Sequence, residues 1–177
     1  MSHGRTGARN VEIKARAPDL AGLEAHARRL ATGGPFDLEQ DDTFFQCSKG
    51  RLKLRELAPD RGELIFYERP DAEGPKLSRY TIAPTSAPAA LRDALEQAWG
   101  IVGRVRKHRR VYLVGQTRVH LDRVAGLGDF VELEVVLEAS DAARSGEDIA
   151  RRLLQELGIG DDDLVAGAYL DLLPAGC

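Results

Sequence analysis

The dominant feature of this chain is a period-two alternation of apolar with charged side chains, repeated in segment after segment, a spacing that suits extended strands packed on one face. It runs through Asn10–Ala17, Thr43–Ser48, Arg51–Leu57, Glu63–Arg69, Lys76–Ile82, Val102–Val114, Thr117–Val124 and Phe130–Glu138. About eight strands follow. Turn-forming clusters at Gly33-Gly34-Pro35, Ala58 to Gly62, Asp71 to Pro75 and Pro84 to Pro88 separate them. Three stretches have helical spacing instead: Asp19 to Ala31, Ala87 to Trp99, and a third behind Ser145, whose hydroxyl is placed to cap it with Asp148 three residues on. A last apolar run, Ala168 to Leu173, reads as one closing helical turn. The predicted order is strand, helix, about five strands, helix, three strands, helix.

With 177 residues and 43 % hydrophobic content, one domain with a sizeable core is expected over residues 1–177, residues 1–9 forming a flexible lead. Net charge is −3, which supplies no cationic excess for nucleic acid or an anionic membrane. The polar start and the lack of any apolar run near the roughly 18 residues of a membrane span predict a cytoplasmic protein. Cys47 and Cys177 have no metal-binding spacing, and no disulfide is expected between them.

Each strand separates into two faces, because side chains of like parity share a side of the sheet. Asn10, Glu12, Lys14 and Arg16 oppose Val11, Ile13 and Ala15, and Arg51, Lys53 and Arg55 oppose Leu52 and Leu54. Tyr67 shares a face with Arg69, and Val105 with Lys107 and Arg109. Arg118, His120 and Asp122 oppose Val119 and Leu121, and Glu132 and Glu134 oppose Val131, Leu133 and Val135. Charged faces usually meet water while apolar faces build the core. Here, however, arginine and lysine dominate the central strands and carboxylates the last, a segregation that suits a lined channel if the sheet closes with its charges inward.

Such a channel suits a triphosphate. The planar forks of Arg55, Arg69, Arg109 and Arg118 match phosphate oxygens in pairs, and Lys14, Lys53 and Lys107 add point charges. Carboxylates beside these bases would repel phosphate unless a cation intervened, which makes Glu12, Asp122, Glu132 and Glu134 candidate ligands for Mg²⁺ or Mn²⁺. His120 has the parity to touch a substrate or move a proton, and a structural hydrogen-bonding role suits it equally. The basic run Arg104 to Arg110 is split by alternation, leaving Arg104, Arg106 and Arg110 on the opposite, solvated face, so no nucleic-acid partner is expected. Gly126-Leu127-Gly128 reads as a turn, and Trp99 as core.

The same residues resemble the CYTH, or triphosphate tunnel, family, which includes class IV adenylate cyclases, thiamine triphosphatases and inorganic triphosphatases. Asn10-Val11-Glu12-Ile13-Lys14 matches that family's Glu-x-Glu-x-Lys strand except at its first position. Further matches are Gly50 to Arg55, Leu64 to Arg69, Val105 to Arg109, Leu121 to Val124 and Leu127 to Glu134, which together cover nearly the whole chain. The resemblance implies an α+β protein with a closed eight-stranded antiparallel barrel and flanking helices. It places Glu12, Asp122, Glu132 and Glu134 near metal, and Lys14, Lys53, Arg55, Arg69, Lys76, Lys107, Arg109 and Arg118 on phosphate. Lys14, Arg55, Lys107 and Glu134 are the expected catalytic residues. Asn10 removes one negative charge from the metal site.

The activity so implied is metal-dependent hydrolysis of an inorganic, thiamine or nucleoside triphosphate. Two alternatives stand beside it: a class IV adenylate cyclase forming cyclic AMP and pyrophosphate, and a non-catalytic polyphosphate-binding module. The expected partner is a triphosphate-containing small molecule, with no membrane, and the chain is expected as a monomer or homodimer.

Overall fold

The computed structural model describes residues 5–174. Its elements are β1 (Arg5–Arg16), α1 (Leu20–Leu30), β2 (Gly33–Phe45), β3 (Arg51–Ala58), β4 (Arg61–Glu68), β5 (Lys76–Thr85), α2 (Pro88–Trp99), β6 (Ile101–Val114), β7 (Thr117–Val124), β8 (Gly128–Leu137), α3 (Ala143–Leu157) and a short α4 (Tyr169–Leu172). The strands close into one barrel in the order β1-β5-β4-β3-β2-β6-β7-β8, and every pair around it is antiparallel. Eight strands leave an interior just wide enough for side chains or one small ligand. Closure also removes the free edges at which sheets aggregate.

The apolar faces point outward, as the alternation requires. Val11, Ile13 and Ala15 of β1, Val119 and Leu121 of β7, and Val131, Leu133 and Val135 of β8 form one buried cluster with Leu23 and Ala27 of α1 and Leu153, Leu154 and Leu157 of α3. Truncating any of these α3 leucines to alanine should cost about 2–5 kcal/mol. A Cβ on Gly146 would lie 2.8 Å from Val11 and 2.9 Å from Leu137, so α3 approaches β1 and β8 this closely only with glycine there. A second cluster places Leu95 of α2 against Phe45 and Leu54.

Several local expectations are corrected. Between α1 and α2 lie four strands, not five. The strand expected over Thr43–Ser48 is β2, which starts ten residues earlier at Gly33 and ends at Phe45. Its outward residues Asp37 and Asp41 bond Arg110, Arg104 and Arg106 of β6, so the apolar alternation that marks the other strands is missing. Strand also begins at Arg5, within the stretch expected as a flexible lead; residues 1–4 and Cys177 lie outside the described residues.

α1 is capped by Asp19, whose carboxylate accepts from the Gly22 N–H at 2.9 Å. α3 starts at Ala143, ahead of Ser145, with no side-chain cap. Trp99 is 53 % exposed, because it closes the last turn of α2 before Gly100 while Leu95 takes the buried position. No helix among the described residues is long and apolar enough to cross a membrane.

Candidate functional site

The barrel encloses a cavity of about 730 Å³ lined by inward side chains of every strand. One end is floored by the residues ahead of and within α4. Tyr169 packs with Phe44, Val105, Val124 and Phe130, its ring edge-on to Phe130 at 5.0 Å. Lys14 Nζ lies 3.9 Å above the Tyr169 ring, and both Lys14 and Arg69 donate to the Gly167 carbonyl, at 3.0 and 2.9 Å.

A basic pole is built around one carboxylate. Asp42 of β2, 1 % exposed, accepts from Arg55 Nε at 2.8 Å and Nη2 at 2.9 Å, and from Lys53 Nζ at 2.8 Å. Lys107 Nζ stands 3.5 Å from the same carboxylate. Burial pushes the Asp42 carboxyl up, but Arg55, Lys53 and Lys107 outweigh it and hold the group well below the usual carboxylate range. Three cations around one anion leave an excess of positive charge. Burial, opposed by Asp42 and reinforced by Arg109 and Arg55, pulls Lys107 down to about 7, so it surrenders its proton far more readily than an ordinary lysine.

The acidic pole stands opposite, since β8 faces β3 across the barrel. Glu132 pairs with Lys14 at 3.3 Å and Arg109 at 2.6 Å, and Glu134 with Arg118 at 2.9 Å. His120 of β7 is buried beside them, its Nδ1 3.9 Å from Glu132 and 3.8 Å from Glu134, with no hydrogen-bond partner among the described residues. Burial and then Arg109 lower the imidazole's affinity for a proton. Burial raises the Glu134 carboxyl, but the charges of His120, Arg118 and Arg109 bring it to about 2.

The sequence-derived candidates divide on this geometry. Lys14, Lys53, Arg55, Arg69, Lys107, Arg109, Arg118, Glu12, Glu132 and Glu134 all line the cavity. Lys76 is inward but sits off the lining, donating to the Ala72 carbonyl at 2.7 Å; burial and then Arg69 and Lys14 lower it to about 8. Asp122, expected on metal, is fully buried beneath the site. Both its oxygens are engaged by Arg109, at 2.7 and 2.5 Å, and one also by the Tyr169 hydroxyl at 2.8 Å. Its position there is that of an orienting group for Arg109. Glu12 is paired with Arg69. Asn10, the departure from the family motif, lines the cavity with its Oδ1 unpartnered among the described residues.

Asp42, Tyr67, Tyr80 and Tyr169 were not among the candidates, although all line the cavity. Asp42 and Tyr67 had a legible signal, the parity that Asp42 shares with Leu38, Gln40 and Phe44 and that Tyr67 shares with Arg69. Outside the barrel, Arg104 and Arg106 are paired with Asp41, and Arg110 with Asp37 and Glu24, the split that alternation predicted for this basic run.

One nitrogen and two carboxylate groups are close enough together to share a divalent cation: ligand atoms of His120, Glu132 and Glu134 lie within 4.8 Å of one another. The unpartnered buried Nδ1 fits a ligand role, since a buried polar atom without a partner is costly.

A closed antiparallel barrel whose lumen sets a basic pole against an acidic, histidine-bearing one defines a charge-lined tunnel fold. The CYTH domain profile matches residues 8–169, and the chain belongs to the CYTH family. A search of curated protein sequences found no match. Among solved structures, a Pyrococcus horikoshii protein superposes with a TM-score of 0.79 at 22 % identity, covering 93 % of this chain and 99 % of its own. A Hippeastrum protein assigned as an adenylyl cyclase, and described as having a dominant triphosphatase activity, gives 0.62 at 15 % identity, with 91 % of each chain covered. The Schizosaccharomyces pombe RNA triphosphatase gives 0.51 at 11 % identity, over 87 % of this chain and 81 % of that one. These likenesses show a shared fold.

Proposed function

We propose that the protein hydrolyses a triphosphate-containing substrate with the help of a divalent cation. The observation that carries this reading is the Asp42 cluster: Arg55, Lys53 and Lys107 converge on one carboxylate, facing Glu132 and Glu134 across the lumen. A phosphate chain satisfies the surplus positive charge, and Arg55 and Arg109, whose Nε and Nη2 are held by Asp42 and Asp122, turn Nη1 to its oxygens.

Within that frame the roles divide. Lys14, Lys53, Arg55, Arg69, Lys107 and Arg109 hold the chain in line, and Asp42 and Asp122 fix the arginine forks so that little reorganisation accompanies binding. Arg118 braces Glu134. Glu132, Glu134 and His120 hold Mg²⁺ or Mn²⁺, which offsets the charge of phosphate oxygens that the carboxylates would otherwise repel. At about 2, Glu134 stays ionised at neutral pH and acts through its charge.

Purified protein given Mg²⁺ or Mn²⁺ with ATP, thiamine triphosphate and inorganic triphosphate tests this, with products resolved by chromatography. Orthophosphate plus the matching diphosphate is expected. Cyclic AMP plus pyrophosphate would instead identify a class IV adenylate cyclase, and saturable binding without turnover a polyphosphate-binding module.

A further inference from the structure

Arg51 begins β3 with the inward parity of Lys53 and Arg55, yet it does not line the cavity. Its guanidinium donates instead to Asp171 of α4 from two nitrogens, Nη1 to Oδ1 at 2.9 Å and Nη2 to Oδ2 at 2.8 Å. Nη2 also reaches Asp71, in the turn between β4 and β5, at 3.0 Å. One side chain so joins three separate parts of the chain at the floored end of the tunnel.

Asp171 passes this restraint inward. Its carboxylate accepts from the Ala168 N–H at 2.7 Å. It also packs on Gly167, where φ is 74° and a Cβ would lie 2.9 Å from Oδ2, so the turn closes this tightly only with glycine. The Gly167 carbonyl accepts from Lys14 and Arg69. Two residues on, the Tyr169 ring lies under Lys14 Nζ, and its hydroxyl donates to Asp122, the carboxylate that holds Arg109. Three of the cations assigned to phosphate therefore take their positions from residues 167–171.

We infer that Arg51 is a positioning residue for phosphoryl transfer: its two-point pair with Asp171 sets the turn from Gly167 to Tyr169, and through it the aim of Lys14, Arg69 and Arg109 at the phosphate chain. Catalysis by preorganised charge is sensitive to displacements of about 1 Å. Partly exposed ion pairs, by contrast, contribute little to stability, and the chain's end keeps its apolar hold through Tyr169, Leu170, Leu172 and Leu173. Loss of Arg51 thus disturbs the aim while leaving the fold and ground-state binding nearly intact. This rests on the proposed hydrolysis.

Steady-state kinetics with Mn²⁺, on whichever of tripolyphosphate, ATP and thiamine triphosphate the wild type hydrolyses, tests the inference. Arg51→Met and Asp171→Asn should each lower kcat about tenfold or more while KM stays within about threefold. The double variant should lose no more than the worse of the two, since both break one contact. Tyr169→Phe, which removes only the hydroxyl bonded to Asp122, should lower kcat with Arg51 in place. Arg104→Met breaks a comparable two-point pair with Asp41 on the outer wall, at 2.6 and 2.7 Å; its melting temperature should fall as much as that of Arg51→Met, with kcat unchanged. A wild-type kcat in Arg51→Met, equal losses in Arg51→Met and Arg104→Met, or losses that multiply in the double variant would overturn the inference and leave the triphosphate site standing. A wild type that hydrolyses no triphosphate would overturn the proposed function, and this inference with it.

Discussion

Asp42 and Arg55 form a two-point ion pair inside the barrel, Nε to Oδ1 at 2.8 Å and Nη2 to Oδ2 at 2.9 Å. The pair joins neighbouring strands at directly opposed positions. Lys53 and Lys107 share the same carboxylate, so Asp42 is the main anion that makes a cationic pole tolerable without ligand.

Asp42→Asn should therefore destabilise the free protein by about 3–5 kcal/mol, the usual cost of leaving buried charges unpaired. A bound polyanion replaces the lost charge. Tripolyphosphate should raise the melting temperature of this variant more than that of the wild type, as thermal unfolding with and without ligand would show; an equal rise would remove Asp42 from the role of internal counter-ion.

Arg55→Ala and Glu134→Gln should fail differently. Loss of the Arg55 fork removes charged hydrogen bonds worth about 1.5–3 kcal/mol, a roughly ten- to hundredfold loss of metal-free triphosphate affinity. Glu134→Gln should leave that affinity nearly intact while abolishing turnover. Binding and steady-state kinetics separate the two, and matching defects in both variants would count against the roles assigned.

Lys107 makes binding pH-dependent. Its affinity for a proton is depressed from 10.5 to about 7 in the folded protein, so between those values the unfolded chain keeps a proton that the free folded protein lacks, and stability rises with pH. A phosphate oxygen beside the amine restores its charge. At pH 8.5, binding of tripolyphosphate should take up a proton, seen as a heat that varies with buffer ionisation enthalpy, and Lys107→Met should abolish that dependence.

Metal choice should follow the nitrogen of His120. Mg²⁺ is a hard ion that seeks oxygen, whereas Mn²⁺ accepts an imidazole beside carboxylates, so the wild type should bind Mn²⁺ more tightly. His120→Ala should weaken Mn²⁺ and hardly affect Mg²⁺. Electron paramagnetic resonance of bound Mn²⁺ supplies a readout independent of activity, since nitrogen coupling should be present in the wild type and absent in the variant.

The barrel was legible because its outer face is apolar wherever a helix covers it: Val11 and Ile13, Val119 and Leu121, and Leu133 and Val135 impose their parity on the charges between them. Where arginines of β6 replace a helix as the outer cover, that signal disappears, and the first ten residues of β2 went unread along with Asp42. Parity also fails to report depth. Asp122 shares the inward face with His120, yet it lies under the site and is taken up by Arg109 and Tyr169, a contact fixed by the chain's return near its end.

The meeting of phosphate chain and cation between the two poles is open to direct observation by ³¹P magnetic resonance of the bound triphosphate during titration with Mn²⁺. The account requires the phosphorus signals of the bound ligand to broaden sharply at stoichiometric Mn²⁺ in the wild type, and to stay narrow at the same concentration in Glu132→Gln/Glu134→Gln, which still binds the ligand. Signals that broaden equally in both proteins, or a wild type that binds no triphosphate, would contradict it.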